Sequence, residues 1–199
     1  MSQEKSPQAS SNWKKNLVLY LHDVICYLIV IVVLFLLFFR VVIVSGTSMN
    51  MTLYNGDYLL LLSNTFYRDP ENGDVVVISK KSFDDGAPIV KRVIATAGQT
   101  VDIDFETGIV YVNGVALEED YVYTPTNTRG TVVFPLTVPE GCIFVMGDNR
   151  NGSRDSRYAE IGLIDNREIL GKAIFLFLPG TNTELDPKPM DWNRIGVIK

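Results

Sequence analysis

Residues 24–44 form one apolar run in which Arg40 is the only charge, and from residue 45 onward the pattern changes to short apolar segments separated by Gly, Asn, Asp and Pro. A run of that length, wound as a helix at 1.5 Å per residue, spans roughly 30 Å, one bilayer core. The segments that follow are rich in Val, Ile, Tyr and Phe at residues 58–62, 74–78, 89–95, 100–105, 109–112, 131–134, 142–146 and 173–178. Each reads as a β-strand bounded by turn residues. Asn113-Gly114, between 109–112 and 115–117, marks a two-residue hairpin. Only residues 166–170 hint at a helical turn. The pattern predicts a mostly β chain: a single N-terminal transmembrane helix followed by an antiparallel β domain, built as packed sheets or a partly closed barrel.

One strand breaks the rule for buried strands. In Ile89-Val90-Lys91-Arg92-Val93-Ile94, a period of two puts Ile89, Lys91 and Val93 on one face and Val90, Arg92 and Ile94 on the other. A lysine between two β-branched neighbours loses hydration, which lowers its pKa and leaves a fraction of it neutral near pH 7. A neutral amine is a base. The only histidine, His22, lies on the far side of the apolar run, so one chain cannot supply a Ser-His-Asp triad around the domain.

Composition narrows the function classes. The chain has 199 residues, 47% of them hydrophobic, and a formal net charge of -5, which fits one globular domain beside a membrane segment and argues against a nucleic-acid partner. Cys26 lies inside the apolar run and Cys142 in an apolar strand, so both read as small buried hydrophobes. Lys14 and Lys15 precede the run and the next basic residue after Arg40 is Arg68. By the lysine bias the N-terminus is cytoplasmic and everything past the span is extracytoplasmic. This gives a cytoplasmic tail at 1–15, disordered over 1–12, a transmembrane anchor at 16–44, and a domain at 45–199. A cleaved leader is the competing reading, but its apolar core would be about 7–15 residues, shorter than this run.

Ser48 lies four residues past the apolar run, in Ser45-Gly46-Thr47-Ser48-Met49, so its hydroxyl is expected at the outer membrane surface. The turn around it lets backbone N–H groups converge, as an oxyanion site requires. The stretch Gly147-Asp148-Asn149-Arg150 with Ser153, Asp155 and Arg157 alternates acids and arginines. It is not a calcium loop, because Arg150 and Gly152 stand where oxygen ligands would be needed. It can instead hold a hydroxyl in a fixed place.

Four stretches together resemble the ordered boxes of the type I signal peptidases, in their Gram-positive-like form. They are Ser45 to Met49 with Thr52-Leu53, Gly56-Asp57-Tyr58-Leu59, Val90 to Ile94, and Gly147 to Arg150 followed by Ser153, Asp155, Ser156 and Arg157. Gly171-Lys172-Ala173 and Arg194-Ile195-Gly196 fit the same pattern. The resemblance implies Ser48 as nucleophile, Lys91 as general base, Ser153 as the hydroxyl that hydrogen-bonds and orients the lysine, and Asp155 with Arg157 as an ion pair shaping the site. Arg92 would be structural, paired with Asp148. It implies a Ser/Lys dyad peptidase, without metal or organic cofactor, that cleaves signal peptides after small residues. Its partners would be the lipid bilayer and preproteins carrying signal peptides; the sequence leaves open whether a secretion channel lies alongside. The substrate would add as an extended strand to a sheet edge, with 74–78 and 89–90 as candidates. Two departures stand out. Met51 occupies the place of a usual proline, and Gly46 replaces a serine that in some members donates to the oxyanion, leaving the backbone N–H of Ser48 for that task.

Overall fold

The computed structural model describes residues 8–180 and 190–198. It divides into a helical unit that ends at Phe38 and a β unit that begins at Phe39.

Helix α1 runs Gln8–Phe38, and its stretch Trp13–Phe38 is long and apolar enough to cross a membrane. The expected tail at 1–12 lies outside the described residues as far as residue 7, and from Gln8 the chain is already helical. The apolar run does not stay helical to residue 44. Its last part, Phe39–Ile43, is strand β1, with Arg40 opposite Leu61 of strand β2 (Tyr58–Ser63). The cause is local: β-branched Val41, Val42 and Ile43 favour a pleated surface, and hydropathy alone cannot tell a helix from the strand that continues it.

Beyond β2 the strands are β3 (Val75–Ile78), β4 (Ile89–Thr96), β5 (Thr100–Asp104), β6 (Ile109–Val112), β7 (Val115–Ala116), β8 (Leu136–Thr137), β9 (Cys142–Met146), β10 (Ile164–Asp165), β11 (Ile169–Leu178) and β12 (Gly196–Val197). The larger sheet has the order β1-β2-β11-β3-β4-β9-β10 with β12 paired to β11, and the smaller the order β7-β6-β5-β8. Every pairing is antiparallel. The expected packed antiparallel sheets are what the chain forms.

Both faces of the larger sheet are covered. On β3, Val75 and Val77 enter one apolar cluster with Met49, Leu53 and Leu61, while Val76 and Ile78 enter another with Val145 and Ile169. On β9, Ile143 and Val145 join that second cluster, and Phe144 and Met146 meet Val101, Ile103 and Val110 of the smaller sheet. Strands covered on both sides read as continuous apolar runs rather than alternating ones, which is why 75–78 and 142–146 carry no polar period.

Two expectations are corrected here and two hold. Residues 131–134 form no strand; the strand comes later, at Leu136–Thr137. Apolar content in a loop that packs Phe134 against Phe144 imitates a strand signal. Strand β3 cannot be a free edge, because β11 and β4 flank it. The hairpin at Asn113-Gly114 is as read, with φ of 53° and 77° at its two turn residues. The helical turn at 166–170 is present as Asn166–Glu168, capped by Asp165.

Two stretches far apart in sequence close on each other. Arg194 Nη1 donates to Asp57 Oδ1 at 2.9 Å and Nη2 to Oδ2 at 2.6 Å, while Nη2 also reaches the Thr52 carbonyl at 3.3 Å. Asp57 is fully buried and also accepts from the Tyr54 and Gly180 N–H groups. Arg194→Ala therefore strands a buried carboxylate and should cost about 3 kcal/mol in urea unfolding. Arg194→Lys should recover only part of it, since an ammonium cannot form the forked pair.

Candidate active site

Ser48 begins a helical turn, four residues of irregular chain after β1 ends at Ile43. Leu53 N–H donates to the Met49 carbonyl at 2.8 Å and Asn50 N–H to that of Thr47 at 3.0 Å. Met49 and Leu53, four apart and each 1% exposed, pin the turn into the first apolar cluster. The turn closes through Met51 at a φ of 82°. A proline, whose ring fixes φ near about -65°, could not take this conformation. Met51 thus belongs to a different backbone path from the one a proline would give.

Lys91, 3% exposed on β4, reaches this turn, with its Nζ 2.6 Å from Ser48 Oγ. Burial pushes the amine down from its ordinary 10.5 to about 8; the charges of Asp155 and Asp148 oppose that fall and Arg157 adds to it. Its neighbour Arg92 points the other way and meets Asp148, Nε to Oδ1 at 2.9 Å and Nη2 to Oδ2 at 2.7 Å. Thr52 Oγ1 donates to the same Asp148 Oδ2 at 2.6 Å. The expected pairing of Arg92 with Asp148 is therefore present in the geometry, and it also secures the serine turn.

The loop after β9 closes the site. Arg157 forks onto Asp155, Nε to Oδ1 and Nη2 to Oδ2 both at 2.8 Å, with both side chains fully buried. Asp155 Oδ2 also accepts from the Gly147 N–H at 3.0 Å. Gly147 has to be glycine, because a Cβ there would overlap the Ser48 carbonyl oxygen and the Ser153 hydroxyl.

Ser153 departs from expectation. Its hydroxyl is buried but makes no hydrogen bond among the described residues, to Lys91 or to anything else. The side chain rests against the Gly147 backbone, and the lysine amine is directed to Ser48 instead.

Some contributors carried no assigned role in the sequence. Asn149 donates its backbone N–H to the Ser48 carbonyl at 3.0 Å and its side-chain Nδ2 to the Thr47 carbonyl at 3.1 Å. The Tyr121 ring stacks 3.9 Å beneath the Arg92 guanidinium, and Glu119 forms a forked pair with Arg150. Glu119 and Tyr121 sit in an irregular segment, where no period marks a buried residue.

The family model of signal peptidases, peptidase S26, matches residues 17–178. The chain belongs to that family. Signal peptidase relatives cover most of it. It is 33% identical to signal peptidase I of Bacillus licheniformis over 90% of this chain and 96% of that one. It is 32% identical to signal peptidase I T of Bacillus subtilis, over the same shares. A probable signal peptidase I of Synechocystis is 35% identical over 77% of this chain and 74% of its own length. A solved signal peptidase I of Enterococcus faecalis is 33% identical, covers 52% of this chain and 96% of its own, and has a TM-score of 0.43. The family is one of serine peptidases.

The contact between Lys91 and Ser48 has a thermodynamic sign. A lysine whose pKa falls on folding is held at a cost while it is protonated, so the cost is complete below about pH 8 and fades as pH rises towards 10.5. Lys91→Met should therefore raise unfolding free energy at pH 7, by up to about 3 kcal/mol. The gain should vanish near pH 10.5, as measured by urea unfolding at the two pH values.

Proposed function

We propose that this chain is a membrane-anchored endopeptidase that removes N-terminal signal peptides from exported preproteins, with Ser48 as nucleophile and Lys91 as general base. The observation that carries the reading is the 2.6 Å separation of Lys91 Nζ and Ser48 Oγ around an amine whose burial holds its pKa near 8. At and above that pH the amine has a lone pair for the hydroxyl proton.

The chemistry follows in order. Lys91 Nζ takes the Ser48 proton as Oγ bonds to the scissile carbonyl carbon, and the carbonyl π electrons move to oxygen. The Ser48 N–H, which has no acceptor among the described residues, is free to meet that oxygen. The ammonium then passes its proton to the departing amine, and the C–N bond breaks to leave an acyl ester on Ser48. Water, deprotonated by the same amine, hydrolyses the ester and restores the hydroxyl.

Strand β4 supplies a place for the substrate. Val93 exchanges backbone bonds with Gly73 and Asp74 on the β3 side, so by alternation the Val90 N–H and C=O face the opposite side. Strand β9 pairs with β4 only from Arg92 onward. An extended peptide adding at Val90 would pass beside Lys91, with small residues favoured where the pockets are shallow.

The helix Trp13–Phe38 supports anchoring, and Lys14 and Lys15 at its start support a cytoplasmic N-terminus with the β domain outside. In this reading the tail, anchor and domain meet near residues 15 and 38, with the domain spanning 39–199.

In detergent, the purified chain should trim a preprotein, and Ser48→Ala and Lys91→Ala should each abolish trimming without loss of fold. Their effects should not add, because nucleophile and base act as one unit. Lys91→Arg should be as inactive as alanine, since a guanidinium stays protonated. Activity in that variant would show that position 91 supplies charge instead of proton transfer. The single-turnover rate should climb with pH through a midpoint near 8, because only the neutral amine accepts the proton. A flat profile would remove lysine as the base.

A further inference from the structure

An oxyanion donor must point in a fixed direction, and a short turn does not by itself fix an N–H. Peptide planarity does. In the trans peptide that joins Thr47 to Ser48, the Thr47 C=O and the Ser48 N–H share a plane and point in opposite directions. Whatever holds the carbonyl therefore aims the N–H.

Two donors hold it, the Asn50 N–H at 3.0 Å from within the turn and Asn149 Nδ2 at 3.1 Å from the loop after β9, and the Asn149 backbone N–H takes the Ser48 oxygen at 3.0 Å. One residue thus grips the carbonyls on both sides of the nucleophile. The amide is seated by a missing side chain: a Cβ at Gly152 would stand 2.5 Å from Asn149 Nδ2 and 2.9 Å from Cγ. Nitrogen must be the atom that faces Thr47, because two acceptor oxygens at that distance would repel.

We propose that Asn149 is a positioning residue, which fixes the Thr47–Ser48 peptide plane so that the Ser48 N–H is preorganised for the developing oxyanion. Gly152 keeps its amide in place. This rests on Ser48 being the nucleophile. The residue touches neither substrate nor the reacting atoms; it acts through one peptide group, and its loss acts on the transition state more than on the bound substrate.

The test compares the full chain in detergent with Asn149→Ala, Asn149→Asp and Gly152→Ala. The substrate is a peptide spanning a signal-peptide cleavage site. The probe is an aldehyde of the signal-peptide side, on which Ser48 Oγ bonds to the carbonyl carbon, the hydroxyl proton passes to Lys91 and the former carbonyl oxygen becomes the anion.

Asn149→Ala should lower kcat by about 10- to 100-fold, as losses of supporting hydrogen bonds do, with KM changed by less than about twofold. Asn149→Asp, which sets an acceptor against the Thr47 carbonyl, should lose at least as much. Gly152→Ala keeps the asparagine but displaces its amide and should fall between. Aldehyde affinity should drop in step with kcat/KM while affinity for the cleaved product peptide holds. The acidic limb should stay near its original midpoint, because Lys91 is untouched.

Asn149→Ala with kcat within about twofold of the parent overturns the proposal. So does an equal loss of aldehyde and product affinity, or a loss of rate that follows a lowered melting temperature across all three variants. A parent chain that does not cleave, or that still cleaves as Ser48→Ala, overturns the peptidase reading and this one with it. An active parent with unchanged Asn149 variants overturns this one alone.

Discussion

Asp148 accepts two bonds from the Arg92 guanidinium and a third from the Thr52 hydroxyl, so one buried carboxylate ties together three separate segments. They are the strand that carries Lys91, the turn that carries Ser48 and the loop that follows β9. In the proposed mechanism their spacing matters, since a misplacement of about 1 Å between reacting groups can cost two orders of magnitude in rate. The forked geometry fixes angle as well as distance. Because Arg92 and Lys91 are adjacent on one strand and point to opposite faces, the pair that locks the backbone stays out of the way of the amine.

The same interior sorts its cations by partner. Arg92, Arg150 and Arg157 are each at most 1% exposed and each forks onto a carboxylate, of Asp148, Glu119 and Asp155 respectively. Lys91 is buried as well, yet among the described residues no carboxylate comes within ion-pair distance of it. Each arginine is matched by a carboxylate. The lysine is the group whose charge the fold disfavours, and a titratable amine is the group able to respond by releasing a proton. The guanidiniums thus sit in the ion pairs and the amine against the hydroxyl.

Much of this was legible in sequence, and the reasons differ from residue to residue. Lys91 stood out because a strand period exposes any charge that lands among β-branched neighbours. Arg92 with Asp148, and Asp155 with Arg157, followed from the resemblance to the boxes of the signal peptidases. The helix end at Phe38 was hidden because apolar content continues smoothly into β1. The interior place of β3 was hidden too, since strand order depends on contacts with β11, nearly a hundred residues away in sequence. Ser153 shows a different limit. Its burial beside the site matched the motif, but the direction of one hydroxyl is set by a rotamer, and a pattern of residue types carries no rotamer.

The clasp between Arg194 and Asp57 sets an order on manufacture. Asp57 lies in the stretch just beyond the serine turn, and its partner Arg194 comes 137 residues later in the chain. A nascent chain on the ribosome holds Ser48, Lys91 and the whole 147–157 loop long before it holds Arg194. The support under the serine turn is then put in after every other residue of the site, so the turn stays unclasped while most of the β unit is being made.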